Sequence, residues 1–227
     1  MIEYRIKINK EILATFFMGG DKGTVIFASG LPQYVQKQHS FVSQIVEAGY
    51  SLCIPKYYGT WESLGDFSLD TSTQTLEETV DFVKKGECEE LFSGGIIKWN
   101  TNKIILMGYS FGALPTLQCK ADDVFATLLV CPFISSSLQS EGEDINNTLE
   151  FIKKAYPNVY RFNLEKFLED LKDPFLPNIK NKLIIIKGMF DKVIPDETYN
   201  FLSSKYKIEP IVEDIGHTVM FKESYFS

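Results

Sequence analysis

A mostly parallel β-sheet with helices on both faces is the fold class that this sequence predicts. Three observations lead there. From residue 23 onward, apolar runs of strand length alternate with segments of helical periodicity. The first eighteen residues read instead as an antiparallel hairpin. One long stretch, 134–181, carries helical but no strand signal, so it reads as a helical insertion between two strands. The 227 residues are most simply one domain, long enough for a sheet covered on both sides.

The elements follow in order. "EYRIKI" (3–8) alternates polar and apolar as a half-exposed strand, and "ILATFFM" (12–18) is its hairpin partner, with Asn9 and Lys10 near the turn. "GTVIFAS" (23–29) is a buried strand, followed by a loop through Gly30 and Pro32. Residues 36–48 place Phe41, Ile45 and Val46 on one helical face, and Gly49 ends that helix. Next come a strand "YSLCIP" (50–55) and a helix "TLEETVDFVKKG" (75–86), capped by Thr75 with Glu78 three residues on. The second half repeats the rhythm with strands at 103–108, 125–133, 182–187 and 207–214. Helices are expected at "FGALPTLQC", within the insertion at "INNTLEFIKKAY" and "LEKFLEDL", and at "DETYNFLSSKY".

Charge and composition narrow the function. A net charge of −7, with no run of Lys or Arg, leaves nothing to neutralise phosphates, so nucleic acid is excluded as the main partner. Cys53, Cys88, Cys119 and Cys131 form no C-x-x-C pair, and Cys53 and Cys131 lie in apolar runs. They read as free thiols suited to a reducing cytoplasm, not as metal ligands. Glu3 and Glu11 interrupt the charge pattern of a leader at the N-terminus, and no run approaches the ~18 apolar residues of a spanning helix. The expectation is a cytoplasmic protein without membrane insertion.

The chemistry begins at "GYSFG" (108–112), a G-x-S-x-G placed after an apolar strand and before a helix. A turn that sharp needs small neighbours, supplied by Gly108 and Gly112, and holds Ser110 in a strained conformation above the sheet edge. The backbone N–H of Phe111, at the helix start, points where an oxyanion would form. A serine hydroxyl needs a base. Of the two histidines, His39 sits among polar residues on the first helix and reads as a surface residue. His217 follows the last strand, where a base reaches over the sheet edge. Asp191 lies in the loop after "KLIIIK", beyond a glycine, as the carboxylate that would orient that base. Ser110, Asp191 and His217 thus each follow a strand, at the edge where α/β sheets carry their sites.

With these three motifs in place, the sequence resembles the α/β-hydrolase superfamily over nearly its whole length. The matching stretches are "GYSFG" (108–112), "GMFDKVIP" (188–195) and "GHTV" (216–219). The resemblance implies a Ser110–His217–Asp191 triad cleaving a carboxylic ester, thioester or amide of a small-molecule substrate through an acyl-enzyme, with no metal or organic cofactor. It implies a second oxyanion donor too: Ser29-Gly30 stands where the family carries His-Gly, which makes the backbone N–H of Leu31 the counterpart. The loop "PKYYGTWESLGDF" (55–67) corresponds to one that flanks the site in many members, although several have Asp where Lys56 stands here. Tyr57, Tyr58 and Trp61, with Tyr109 of the elbow, are therefore candidates for the substrate pocket, and segment 134–181 for a lid. Ten residues follow His217, shortening the family's closing helix and leaving a side that a homodimer contact or a neighbouring segment would cover. A catalytically silent scaffold and a lyase or transferase on the same fold are the competing functions, because fold alone does not establish activity.

Overall fold

The computed structural model describes residues 1–32, 34, 35, 40–139 and 145–217. His39 and the stretch "TVMFKESYF", on which two of the expectations above rest, lie outside the described residues. The chain builds an eight-stranded sheet. In chain order its strands are β1 (Glu3–Lys7), β2 (Leu13–Phe17), β3 (Gly23–Ala28), β4 (Tyr50–Pro55), β7 (Ile104–Tyr109), β8 (Ala126–Val130), β9 (Lys182–Phe190) and β10 (Ile211–Gly216). A separate two-stranded hairpin, β5 (Glu87–Glu89) with β6 (Ile96–Lys98), was not foreseen, being too short to show alternation. The spatial order is β1-β2-β4-β3-β7-β8-β9-β10. Pairing is antiparallel from β1 through β2 to β4 and parallel across the rest.

All six residues of β3 are buried, so both faces of the sheet are covered there, as a parallel strand in the middle of such a sheet requires. The helices are α1 (Ser40–Glu47), α2 (Leu69–Val83), α3 (Ala113–Gln118), α4 (Ile145–Ala155), α5 (Leu164–Lys172) and α6 (Asp196–Tyr206). None of them is long and apolar enough to cross a membrane. The opening turn forms as the sequence suggests, with Asn9 Oδ1 accepting from the backbone N–H groups of Glu11 and Ile12 at 2.7 Å each.

Several boundaries move; β9, expected at 182–187, runs on to Phe190. Helix α2 starts at Leu69, not Thr75, under a capping box in which Ser68 and Thr71 exchange hydrogen bonds of 2.9 and 3.1 Å. Its inner face carries Ser72, Thr75 and Thr79 among Leu69, Leu76, Val80 and Val83. Each of those hydroxyls donates to the carbonyl four residues back, which satisfies it in the core and hides the helix from hydrophobic periodicity. Strand β8 stops at Val130, because Cys131 turns into the left-handed region at φ +46°. Strand β10 starts at Ile211, since Lys207 ends α6 at φ +55°.

Segment 134–181 contributes α4 and α5 and is tied to the loop after β4. Phe67 N–H donates to Arg161 O (2.7 Å), Trp61 N–H to Val159 O (2.8 Å) and Arg161 N–H to Gly59 O (2.8 Å). Beneath these bonds Phe67 packs on Phe167 and Tyr160 of the insertion and on Phe111 of the elbow, with ring centroids 4.9, 5.6 and 5.7 Å away. One aromatic cluster therefore joins the insertion, the loop and the elbow.

Candidate active site

The elbow is built by close approach. A Cβ at Gly112 would sit 2.0 Å from Ala28 O, and one at Gly108 would sit 2.7 Å from Ala113 Cα. Only glycine lets β7 turn into α3 against β3 at those points. Ser110 between them takes φ +51°, a sparsely populated conformation that lifts its side chain clear of the sheet.

Ser110 Oγ lies 3.0 Å from His217 Nε2, and His217 Nδ1 lies 3.0 Å from Asp191 Oδ2. The other carboxylate oxygen, Oδ1, accepts from the backbone N–H groups of Val193 (2.8 Å) and Ile194 (3.1 Å). With Nδ1 carrying its proton toward Asp191, Nε2 is left to accept from the Ser110 hydroxyl. The Asp191 side chain is only 1% exposed. Burial by itself would raise its pKa, but the hydrogen bond and charge of His217, followed by the Ile194 and Val193 N–H groups, outweigh it and hold the carboxyl below its usual range. The structure thus brings together the three residues that the sequence singles out, from loops after β7, β9 and β10.

Two partners were not foreseen. The Tyr109 hydroxyl donates to the His217 backbone carbonyl, and the two rings lie 5.5 Å apart. Burial, then the nearby Cys131 and Asp191, push the Tyr109 phenol well above its ordinary value, so it stays a donor. Cys131, fully buried at the end of β8, has its Sγ within 4.8 Å of both an Asp191 carboxylate oxygen and a His217 ring nitrogen. Those three side chains have metal-ligand chemistry, but the His217–Asp191 contact is a hydrogen bond of ordinary length, which commits both groups to each other.

A cavity of about 420 Å³ opens over Ser110, lined by Leu31, Phe111, Phe133, Val193, Ile194 and His217 from the sheet edge. Ile145, Asn147 and Thr148 of α4 close it from the insertion side, with Gln139. Leu31 and Phe111, the two expected oxyanion donors, both reach it. The expected pocket aromatics do not line it. The Tyr57 hydroxyl donates to Ser29 O at 2.9 Å and braces the turn that carries Leu31. Tyr58 is buried, its hydroxyl 2.9 Å from Asn9 Nδ2 and 3.1 Å from Glu78. Trp61 packs on Tyr34 and Tyr160, ring centroids 4.8 and 5.8 Å away. Tyr57 and Tyr58 belong to the core, and Trp61 packs against it beneath Tyr160 of the insertion. The lining from α4 had no signal in the sequence, since which face of a helix meets a cavity depends on how the insertion docks.

This is the α/β-hydrolase fold. No family model matches the chain, and no curated protein matches it in sequence. Similar solved structures include an esterase of Pyrococcus furiosus (TM-score 0.66, 18% identity, 95% of this chain and 82% of that one). An esterase of Exiguobacterium antarcticum is similar at TM-score 0.65 and 15% identity, over 95% and 92% of the two chains. Est1E of Butyrivibrio proteoclasticus, solved with ferulic acid bound, is similar at TM-score 0.58 and 18% identity, over 94% and 89%. At such identities the likeness is one of fold.

Proposed function

We propose that the protein is a serine hydrolase that cleaves carboxylic esters of small molecules through an acyl-enzyme. The observation that carries this reading is the pair of 3.0 Å contacts linking Ser110 Oγ to His217 and His217 to Asp191. The esterases among the structural neighbours add support at the level of fold.

The chemistry follows from the atoms. As Ser110 Oγ attacks the ester carbonyl carbon, its proton moves to His217 Nε2, and Asp191 stabilises the imidazolium through Nδ1–H. The carbonyl oxygen becomes an oxyanion, received by the backbone N–H groups of Phe111 and Leu31; losing one such donor typically costs ~100-fold or more in rate. His217 returns the proton to the departing alcohol oxygen, and water, activated the same way, then releases the acid. The chain's own groups supply every proton transfer in this sequence. The acyl part would rest on the apolar wall of Phe133, Val193, Ile194 and Ile145, with segment 134–181 serving as the lid. The test is turnover of p-nitrophenyl esters of increasing acyl length. Wild type should hydrolyse the short and medium members. Ser110→Ala should fold normally and lose at least about a thousandfold in kcat. Equal turnover by both proteins would remove the proposal.

A further inference from the structure

Strands β7 and β8 run parallel with Tyr109 opposite Val130, so the next residues, Ser110 and Cys131, stand side by side where both strands leave the sheet. Both take left-handed backbone angles, φ +51° and +46°. Ser110 needs that conformation to present its hydroxyl. Cys131 has no such duty, because it is 0% exposed and meets no substrate. An observed backbone outlier beside a site calls for a functional account.

What the turn achieves is the placement of the thiol. Cys131 Sγ stands within 4.8 Å of an Asp191 carboxylate oxygen and of a His217 ring nitrogen. An ionised carboxylate offers about four acceptor sites. Asp191 fills three, with the N–H groups of Val193, Ile194 and His217. The titratable groups around it are His217 after β10, Tyr109 from β7, Cys131 from β8 and Tyr199 from α6. Lys187 and Asp196 pair with each other, the Lys187 ammonium lying over the Tyr199 ring. The Tyr199 hydroxyl is buried beside the Cys131 thiol and faces it.

The geometry points to Cys131 as a positioning residue: its S–H supplies the remaining contact to the Asp191 carboxylate and fixes it in the plane of the His217 imidazole. This rests on the serine hydrolase reading for its consequence in rate, though not for its geometry. Burial, and then the charge of Asp191, keep the thiol protonated, so it remains a donor throughout the working pH range. The same burial keeps it from competing with Ser110 as a nucleophile.

The test compares Cys131→Ala, Cys131→Gly and Cys131→Ser. Alanine and serine are close in size but differ in the donor, and glycine tolerates the left-handed turn without supplying one. A donor to the charged carboxylate draws its charge away from the Nδ1–H side, so losing it tightens the hold of Asp191 on the imidazolium. Cys131→Ala and Cys131→Gly should therefore move the acid limb of kcat/KM up by about half a pH unit and lower kcat about tenfold, with KM within about twofold. Cys131→Ser should restore the limb and most of kcat. The downfield proton resonance of the His217 Nδ1–H···Asp191 bond gives a second readout that needs no turnover. It should be alike in wild type and Cys131→Ser and displaced in the other two. If wild type hydrolyses no ester yet the resonance behaves this way, the hydrolase reading fails and the positioning role stands. A decline shared equally by all three variants, or wild-type profiles and resonance in all three, overturns the role. Should the alanine variant fail to fold, the glycine and serine pair decides the matter.

Discussion

Two loops leave the same edge of the sheet on either side of β3, one after β7 and one after β4, and they serve opposite ends. The loop after β7 is short, closed by glycines at which an added Cβ would lie as near as 2.0 Å to a backbone oxygen, and it presents one polar side chain upward at a left-handed φ. The loop after β4 is long and turns its aromatics inward. Tyr57 and Phe67 pack on Phe111 at 5.9 and 5.7 Å, and Lys56 is buried in an ion pair with Glu62 at 3.0 Å. On the proposed reading the first loop sets chemistry, and the second sets rigidity. The lesson is that proximity to a catalytic edge does not make an aromatic residue part of the pocket. What packs above it decides, and here that is the segment carrying Tyr160 and Phe167.

The contrast breaks most sharply at Asp191. Asp191→Asn should lower kcat by about 10³- to 10⁴-fold, through the wrong imidazole tautomer, while the fold persists. The same variant tests the carboxyl electrostatically. Because the Asp191 pKa is depressed in the folded state, its stabilising contribution is fully present above the ordinary carboxylate value of about 4 and is lost as pH falls through the folded value. The stability difference between wild type and Asp191→Asn, measured by urea unfolding, should therefore shrink as pH is lowered below about 4. A gap that widened there would contradict the charge assignment.

Phe67→Ala should show the reverse pattern. Phe67 is 2% exposed at the centre of the cluster, so removing its ring should cost about 3–5 kcal/mol of stability. The folded fraction should keep kcat within about tenfold of wild type, as calorimetry and steady-state kinetics on one preparation can establish. A thousandfold loss in kcat at unchanged stability would mean that the loop after β4 belongs to the chemistry after all. The smallest expected effect lies at the cavity wall. Ile145→Ala should lower kcat/KM for p-nitrophenyl butyrate about tenfold relative to the acetate, by removing apolar contact with the acyl chain. An unchanged ratio would place the acyl group elsewhere.

Much of this was legible in the sequence, for reasons that differ by residue. The sheet could be read because β3, β7, β8 and β9 are short apolar runs, and Ser110 because its glycines are sterically obligatory. Asp191 and His217 could be placed because each follows a strand, even though a bulge between Glu213 and Gly216 shifts the last pairing. The first two turns of α2 could not be read, since their buried face is partly hydroxyl and is satisfied only by backbone carbonyls. Nor could Cys131, whose relation to Asp191 depends on two loops meeting. Its one trace was its place in the apolar run 125–133, which leads to the functional edge.

The central claim is that His217 and Asp191 activate Ser110. Its most direct test is reaction with a fluorophosphonate followed by intact mass measurement, on wild type, Ser110→Ala and His217→Ala. One adduct per wild-type chain, located at Ser110 and absent from both well-folded variants, is the predicted result. A folded wild type that takes up no adduct, or a Ser110→Ala variant that is labelled as readily, would contradict it.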